Sequence, residues 1–397
     1  MLYLIDKLTF ILIYLSISFS NPDIFGIAIK KMIFVIVLIS YVIHIVIHGT
    51  KMSTTAILYI IFSLTGITVL STISLIKGND FENIMLFVYP ILFLIFIPVY
   101  KSLFEEYEAE RYLNMFLSGS LILSLMIILI AVIVFIFDMG NDQYYTSIFN
   151  SIQDNIAISF PPGLFVRVQV NTAIMIIPGI IIAYYYYLKK KEKKYKWIII
   201  ISIVALIYTL SIGIWVGAMV GVILFRMLTL KLKLKNYLVT VIIILITLLV
   251  VSELLNKQSD YKGYSTDVKK QQTAKAIDLF IDNPFFGKGM GYLYKNMDER
   301  NTIDPYLEVA PVMLLSSGGL IGLCVYSFIY LFWLIFYFIK SSKHEIAKVF
   351  VSIHLSLFIA TIANPYIWSG TQGLMFSSLL AAYLISNHKM PLNETIR

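Results

Sequence analysis

Charge is scarce in this chain of 397 residues: Asp, Glu, Lys and Arg make up 14% of it, against 59% hydrophobic residues. A soluble domain is nearer a quarter charged and half apolar. A single core of this length cannot hide so much apolar surface. Soluble enzymes, disordered chains, collagen-like chains and disulfide-rich secreted proteins are therefore excluded. Cysteine is almost missing: Cys324 is the only one, and it lies in an apolar run. No disulfide and no Cys-based metal site can form within the chain. The middles of the apolar runs also lack acidic and basic residues, and the titratable groups there are His44, His48 and His354. Ion-coupled pumps place such groups at mid-depth, so this scarcity argues against coupled transport. No internal repeat of the kind that marks many transporters is evident.

What the sequence does have is a series of apolar runs, many of them about 20 residues long, each able to cross a ~30 Å hydrocarbon layer as a helix. They predict an all-α fold, a polytopic transmembrane helical bundle of about twelve spans. The spans fall near 2–20, 32–49, 55–76, 84–100, 113–137, 168–188, 197–211, 213–230, 237–254, 308–339, 349–364 and 368–386. The long apolar stretch 197–230 is divided near Ser211-Ile212-Gly213. The first run has no basic n-region and no small-x-small cleavage site, so it reads as a retained span. Residues 1–397 form one membrane domain in this reading, with C-terminal spans within 308–386.

Net charge is +8. In a membrane protein this reflects basic residues gathered in cytoplasmic loops, not nucleic-acid binding. The run Lys189 to Lys196, the group Lys231, Lys233 and Lys235, and the group Lys340, Lys343 and Lys348 all fall on one side if both termini are cytoplasmic. Two polar segments then face outward: a first outer loop, 138–167, and a large outer loop, 254–307. Loops of this length are usually functional or disordered, and the aromatic residues of the larger one argue against disorder. The larger contains DVKKQQTAKAIDLFIDNP, a helical pattern capped by Thr266 or Asp267. Ala274, Ile277, Phe280 and Ile281 share one face, and the helix should stop before Asn283-Pro284. Such an amphipathic helix suits a position over the membrane mouth.

The outer segments also hold cations: Arg167 just before a span, then Lys269, Lys270, Lys275, Lys288, Lys295 and Arg300 in the large loop, with Glu308 opening the next span. A cationic rim over an apolar mouth suits an anionic lipid head such as a diphosphate. Arginine offers forked hydrogen bonds to phosphate oxygens and lysine a compact charge. In Asn283 to Tyr294, NPFFGKGMGYLY, Gly287, Gly289 and Gly291 recur at every second position. Glycines permit positive φ, and a row of freed backbone N–H groups can form an anion nest. The spacing does not fit a nucleotide-binding loop. Tyr144, Tyr145, Tyr261, Tyr264, Tyr292 and Tyr306 could stack on sugar rings.

Asn-Pro-Phe-Phe-Gly-Lys-Gly-Met-Gly resembles the NP-apolar-apolar-G-x-G-x-G signature of the O-antigen ligase and Wzy-type polysaccharide polymerase superfamily. That family also carries G-L-x-G early in the following span, and Gly319-Leu320-Ile321-Gly322 matches it. The resemblance covers roughly 160–340. Ligases of the family have a His-Asn pair where this chain has Glu308-Val309, an Arg where it has Lys269, and T-x-S-R-G where it has Thr209-Leu210-Ser211-Ile212-Gly213. Polymerases vary more at these positions, so the departures favour a polymerase.

The resemblance implies a metal-independent glycosyltransferase without cofactor, in a bacterial cytoplasmic (inner) membrane. Its substrates would be undecaprenyl-diphosphate-linked oligosaccharides. Besides membrane lipids, a chain-length regulator and a flippase would be its partners. Glu308 would be the base, and Arg167 and Lys269 would steady the diphosphate. Lys270, Lys288, Arg300, Gly287, Gly289, Gly291 and Tyr292 would hold substrate. The alternatives are a ligase moving finished glycan to another acceptor, and a flippase or transporter for lipid-linked sugars.

Overall fold

A computed structural model describes residues 1–18, 23–24, 27–49, 53–137, 157–159, 166–230, 260–298, 303–340, 344–362 and 371–386. The architecture is all-α. Helices keep every backbone hydrogen bond within one segment, which an apolar bilayer requires. In chain order they are α1 (Leu2–Ser18), α2 (Ile29–His48), α3 (Thr54–Ile76), α4 (Phe81–Val88), α5 (Ile97–Glu106), α6 (Ala109–Phe137), α7 (Ile176–Lys190), α8 (Lys193–Thr209), α9 (Ile212–Leu230), α10 (Asp260–Asp282), α11 (Ala310–Lys340), α12 (Glu345–Ala360) and α13 (Thr371–Ser386). Short antiparallel pairings join Asp23–Ile24 to Ile27–Ala28, Ala157–Ser159 to Arg167–Gln169, and Tyr294–Lys295 to Ile303–Asp304.

Among the described residues, seven helical segments are long and apolar enough to cross a membrane. Shorter apolar helices of 16 or 17 residues, α1, α8, α12 and α13, pack beside them. At 1.5 Å per residue each is about 25 Å long. These helices correspond to all the expected spans except 237–254, which lies outside the described residues. The protein is a multi-pass membrane protein.

Local chemistry explains the departures from plain helix. Pro90 and Pro98 interrupt the fourth crossing, where a 3-10 turn over Tyr89–Phe96 links α4 to α5, because proline lacks an N–H and crowds the preceding turn. The stretch 197–230 breaks at Leu210, a left-handed residue with φ 46°. The crossing expected from residue 168 becomes α-helical only at Ile176, after a strand and a 3-10 turn.

Small residues bring α9 and α12 close. A Cβ on Gly217 would stand 2.8 Å from the Cβ of Ala360, and one on Gly221 2.0 Å from Ser356 Oγ. This G-x-x-x-G pattern lets membrane helices pack backbone to backbone. By contrast, α2 and α3 bury few residues and expose Ile39, Val42, Val46 and Leu58, as lipid-facing helices do.

Contacts sort the helix termini into two ends. At one end Arg111, at the start of α6, lies 2.7 Å from the buried Asp6 of α1. Lys189, at the end of α7, pairs with Glu110, and Phe104 meets Phe350 of α12 and Tyr383 of α13. The run that begins at Lys189 therefore shares an end with the start of α1 and the close of α13. The opposite end gathers the α3–α4 junction, the close of α8 and the segments 283–298 and 303–309.

Candidate active site

The glycine-rich loop is locked to a break in a membrane helix. At Gly319, φ 62° and ψ −162° interrupt α11. The break leaves backbone groups of 316–321 without helical partners, and the loop supplies them. Lys288 N–H donates to the Ser316 carbonyl at 2.7 Å and Gly289 N–H to that of Ser317 at 2.8 Å. In return Leu320 N–H donates to the Pro284 carbonyl at 2.9 Å and Ile321 N–H to that of Phe285 at 3.1 Å. Buried backbone groups have to be paired, so the two segments complete one another in a four-bond clasp. The fit excludes side chains: a Cβ on Gly319 would stand 2.4 Å from the carbonyl of Phe285, and one on Gly289, at φ 97°, 2.2 Å from Asn79 Nδ2. Gly287 and Gly291 are equally tight against backbone at 316–317 and 83–84.

The glycines thus serve a different purpose from the anion nest expected of them. The N–H groups of Lys288 and Gly289 are taken by α11, and that of Met290 by Ser74 Oγ at 2.7 Å. The end of α3 adds further anchors. Lys77 Nζ donates to the Gly287 carbonyl, and Asn79 Nδ2 to those of Lys288 (3.0 Å) and Met290 (3.3 Å). Tyr292 packs edge-on against the buried Tyr294, whose hydroxyl is 2.7 Å from Ser316 Oγ.

Glu308 and Lys269, two of the residues singled out in the sequence, lie side by side. Lys269 Nζ lies 3.8 Å from Glu308 Oε2, and both side chains are about one-third exposed, at 32% and 28%. An open ion pair of this kind is worth little to stability, and it leaves both groups within reach of a ligand. The backbone beneath Glu308 is fixed by a buried amide. Gln272 Oε1 accepts the Glu308 N–H at 2.9 Å, while Gln272 Nε2 donates to Asp298 Oδ2 at 2.6 Å. Neither Gln272 nor Asp298 was expected from sequence, nor were Lys77 and Asn79. Their roles depend on contacts across long stretches of chain.

Helix α10 ends before Asn283 as expected, but it starts at Asp260, ahead of the expected cap at Thr266 or Asp267. The helix packs on α11; among its described side chains Val268, Gln272 and Ala276 are buried, while Ile277 and Ile281 stay 43% and 66% exposed. The apolar face read from the sequence is the outward one. Lys270 is exposed and pairs with Asp267. Lys288 Nζ lies 3.6 Å from Asp282 Oδ2.

Arg167 stands on the strand Arg167–Gln169, and its Nε donates to the Thr209 carbonyl at 3.4 Å, at the left-handed turn between α8 and α9. Trp215 Nε1 donates to the Leu206 carbonyl of the same turn at 2.8 Å. This is the stretch whose family counterpart carries its own arginine, where this chain has Ile212. The described partners of Arg167 and Glu308 differ, so these contacts do not join the two. Arg300, Tyr144 and Tyr145 lie outside the described residues, as do the side chains of Tyr261 and Tyr264.

Residues 197–309 match the O-antigen ligase family. The match runs from α8 to the residue after Glu308, and so includes Lys269, the clasp loop and Gln272. It bears out the resemblance carried by the NP-G-G-G motif and supports a membrane enzyme that handles glycans. Arg167 and the G-L-x-G stretch lie beyond it. No curated protein matches the chain.

Proposed function

We propose that the protein is a polysaccharide polymerase acting at the outer face of the bacterial cytoplasmic membrane. It joins glycans carried on undecaprenyl diphosphate. The observation that carries this reading is the Glu308–Lys269 pair, held by the buried Gln272 at the end of the bundle opposite the lysine-rich run. The tendency of basic loops to stay cytoplasmic supports reading this pair as facing outward.

The terminal hydroxyl of one lipid-linked repeat attacks the anomeric carbon of the growing glycan. A new glycosidic C–O bond forms, and the bond from the anomeric carbon to the diphosphate oxygen breaks. The electron pair leaves with the lipid diphosphate, and the hydroxyl proton passes to Glu308. A carboxylate in hydrogen-bond reach of a hydroxyl can act as general base. Charge grows on the departing diphosphate, and fixed cations stabilise charge that develops in the transition state. In this reading Lys269, 3.8 Å from Glu308, takes this role, with Arg167 as a second cation. The activated phosphate ester drives the transfer without a nucleotide.

The family match favours one second reading: a ligase that passes the glycan to a different acceptor. Purified protein with a defined lipid-linked repeat as sole substrate separates the two, since a polymerase makes a ladder from it and a ligase does not. Glu308→Gln should lower turnover about 100-fold or more at unchanged protein level. A normal ladder from that variant would remove Glu308 as the base.

A further inference from the structure

We propose that the groove between α1 and α6, at the end of the bundle that carries the lysine-rich run, binds the zwitterionic head of one phosphatidylethanolamine molecule. The site lies at the end opposite the Glu308–Lys269 pair and does not depend on the reaction proposed above. The groove holds about 450 Å³, within the range of about 300–1,000 Å³ usual for small-ligand sites. Lys7 and Phe10 of α1 form one wall and Arg111, Asn114 and Ser118 of α6 the other, with Glu108 and Glu110 at the start of that helix.

Arg111 is built into this wall. One terminal nitrogen of its guanidinium stands 2.7 Å from Oδ2 of the fully buried Asp6. The buried Tyr112 donates its hydroxyl to Asp6 Oδ1 at 2.9 Å. The rings of Phe10 and Tyr107 stand beside the guanidinium, their centroids 5.8 and 5.1 Å from its central carbon. These contacts hold the planar fork in place, and its five N–H donors exceed what one carboxylate uses. The Arg111 side chain stays 34% exposed and lines the groove, so phosphate oxygens can reach the remaining donors.

The charge balance selects the kind of head. Asp6 balances Arg111, and Lys189 balances Glu110. Lys7 and Glu108 remain, one of each sign. Among the described residues the groove is therefore neutral overall, with its charges kept apart. A net anionic head would leave one negative charge unbalanced, whereas a phosphate and an ammonium on one head satisfy both signs. A primary ammonium brings three hydrogen-bond donors to a carboxylate, and a trimethylated choline brings none.

The exposed face of α6 continues the match into the bilayer. Arg111, Asn114 and Ser118 are followed at helical spacing by Ile122, Leu125 and Leu129, all three exposed. The stripe turns from polar to apolar after about 10 Å of helix. A Cβ on Gly119 would stand 3.0 Å from Ile17 Cγ2, so α1 closes on α6 just beyond Ser118 and sets the floor of the groove. A head seated above that floor lays its acyl chains along the apolar part of the stripe.

The test uses the full-length protein, stripped of lipid in a mild detergent, with dioleoyl phosphatidylethanolamine as the probe. Phosphatidylcholine and phosphatidylglycerol with the same chains are the comparisons. Native mass spectrometry counts the bound lipid, and the melting temperature reports its effect. In detergent the outcome is independent of which leaflet the groove faces. Wild type should retain one phosphatidylethanolamine and melt several degrees higher with it, while the choline lipid has neither effect. Lys7→Gln and Glu108→Gln change exposed side chains, so both variants should fold. Each should weaken phosphatidylethanolamine binding about tenfold or more, the loss expected for one charge-assisted hydrogen bond. Glu108→Gln also makes the groove net positive and should turn its preference to phosphatidylglycerol, which a merely structural role for Glu108 would not produce. Equal binding of the ethanolamine and choline lipids by wild type, or tighter binding of phosphatidylglycerol, overturns the proposal. An unchanged preference in Glu108→Gln overturns it as well.

Discussion

Replacing Gly319 with alanine tests the clasp at its tightest point. Two costs combine. The backbone at φ 62°, ψ −162° is essentially restricted to glycine, and other residues pay about 1–3 kcal/mol to adopt it. The new Cβ would also lie 2.4 Å from the Phe285 carbonyl, and backbone on both sides leaves no flexible side chain to yield. If the loop backs away, the bonds made by Lys288, Gly289, Leu320 and Ile321 are lost, at about 0.5–1.5 kcal/mol each. Gly319→Ala should therefore cost at least about 3 kcal/mol, summing the strain and the lower end of the bond losses. The adjacent Gly318 is the control. A Cβ there meets nothing nearer than Leu314 Cδ1 at 3.7 Å, and glycine to alanine within a helix gains up to about 1 kcal/mol. Both variants would be melted in detergent, with a cysteine at position 288 reporting loop release in a Cys324→Ser background. Gly319→Ala should melt several degrees lower and label faster, while Gly318→Ala behaves as wild type. Equal melting and equal labelling of the two would refute the clasp.

Further outcomes follow from the same geometry. Gln272→Ala leaves the Glu308 N–H and the Asp298 carboxylate without their buried partner; a loss of about 1–3 kcal/mol is expected, with kcat falling more than KM changes. Arg167→Ala should shorten the glycan ladder, and Arg167→Lys should recover it only partly, because lysine lacks the forked donors; full recovery with lysine would reduce Arg167 to a simple charge. A cysteine placed within 189–196 should resist impermeant reagents in whole cells, while one at 288 reacts; the reverse pattern would put the site in the cytoplasm.

The spans were legible because a bilayer-length apolar run has few alternatives to a helix. Even the break in 197–230 was visible, since Ser211 and Gly213 interrupt the run. The large-loop helix was harder to read. Hydrophobic periodicity selected Ala274, Ile277, Phe280 and Ile281, yet the buried residues are Val268, Gln272 and Ala276. Near a membrane, apolar residues can face outward at low cost, so periodicity finds an apolar face without saying which way it points. The glycines were recognised, but not that the N–H groups of Lys288, Gly289 and Met290 are taken within the protein, because an N–H freed by a turn looks the same in sequence whether a ligand or a broken helix takes it. Glu308 and Lys269 were both named, and their contact follows from α10 packing on α11. Gln272 and Lys77 left no signal, since an isolated polar residue gains meaning only from a partner far along the chain.

The clasp has a consequence for anyone exchanging parts between relatives. Pro284 to Gly289 and Ser316 to Ile321 satisfy one another's main-chain groups, so neither strip is a modular insert. A transplanted loop would need a helix broken at the same place as Gly319 to receive its main-chain groups. The transferable unit comprises the closing turn of α3, the loop and the first part of α11, and chimeras cut inside it should misassemble even where every grafted residue is chemically suitable.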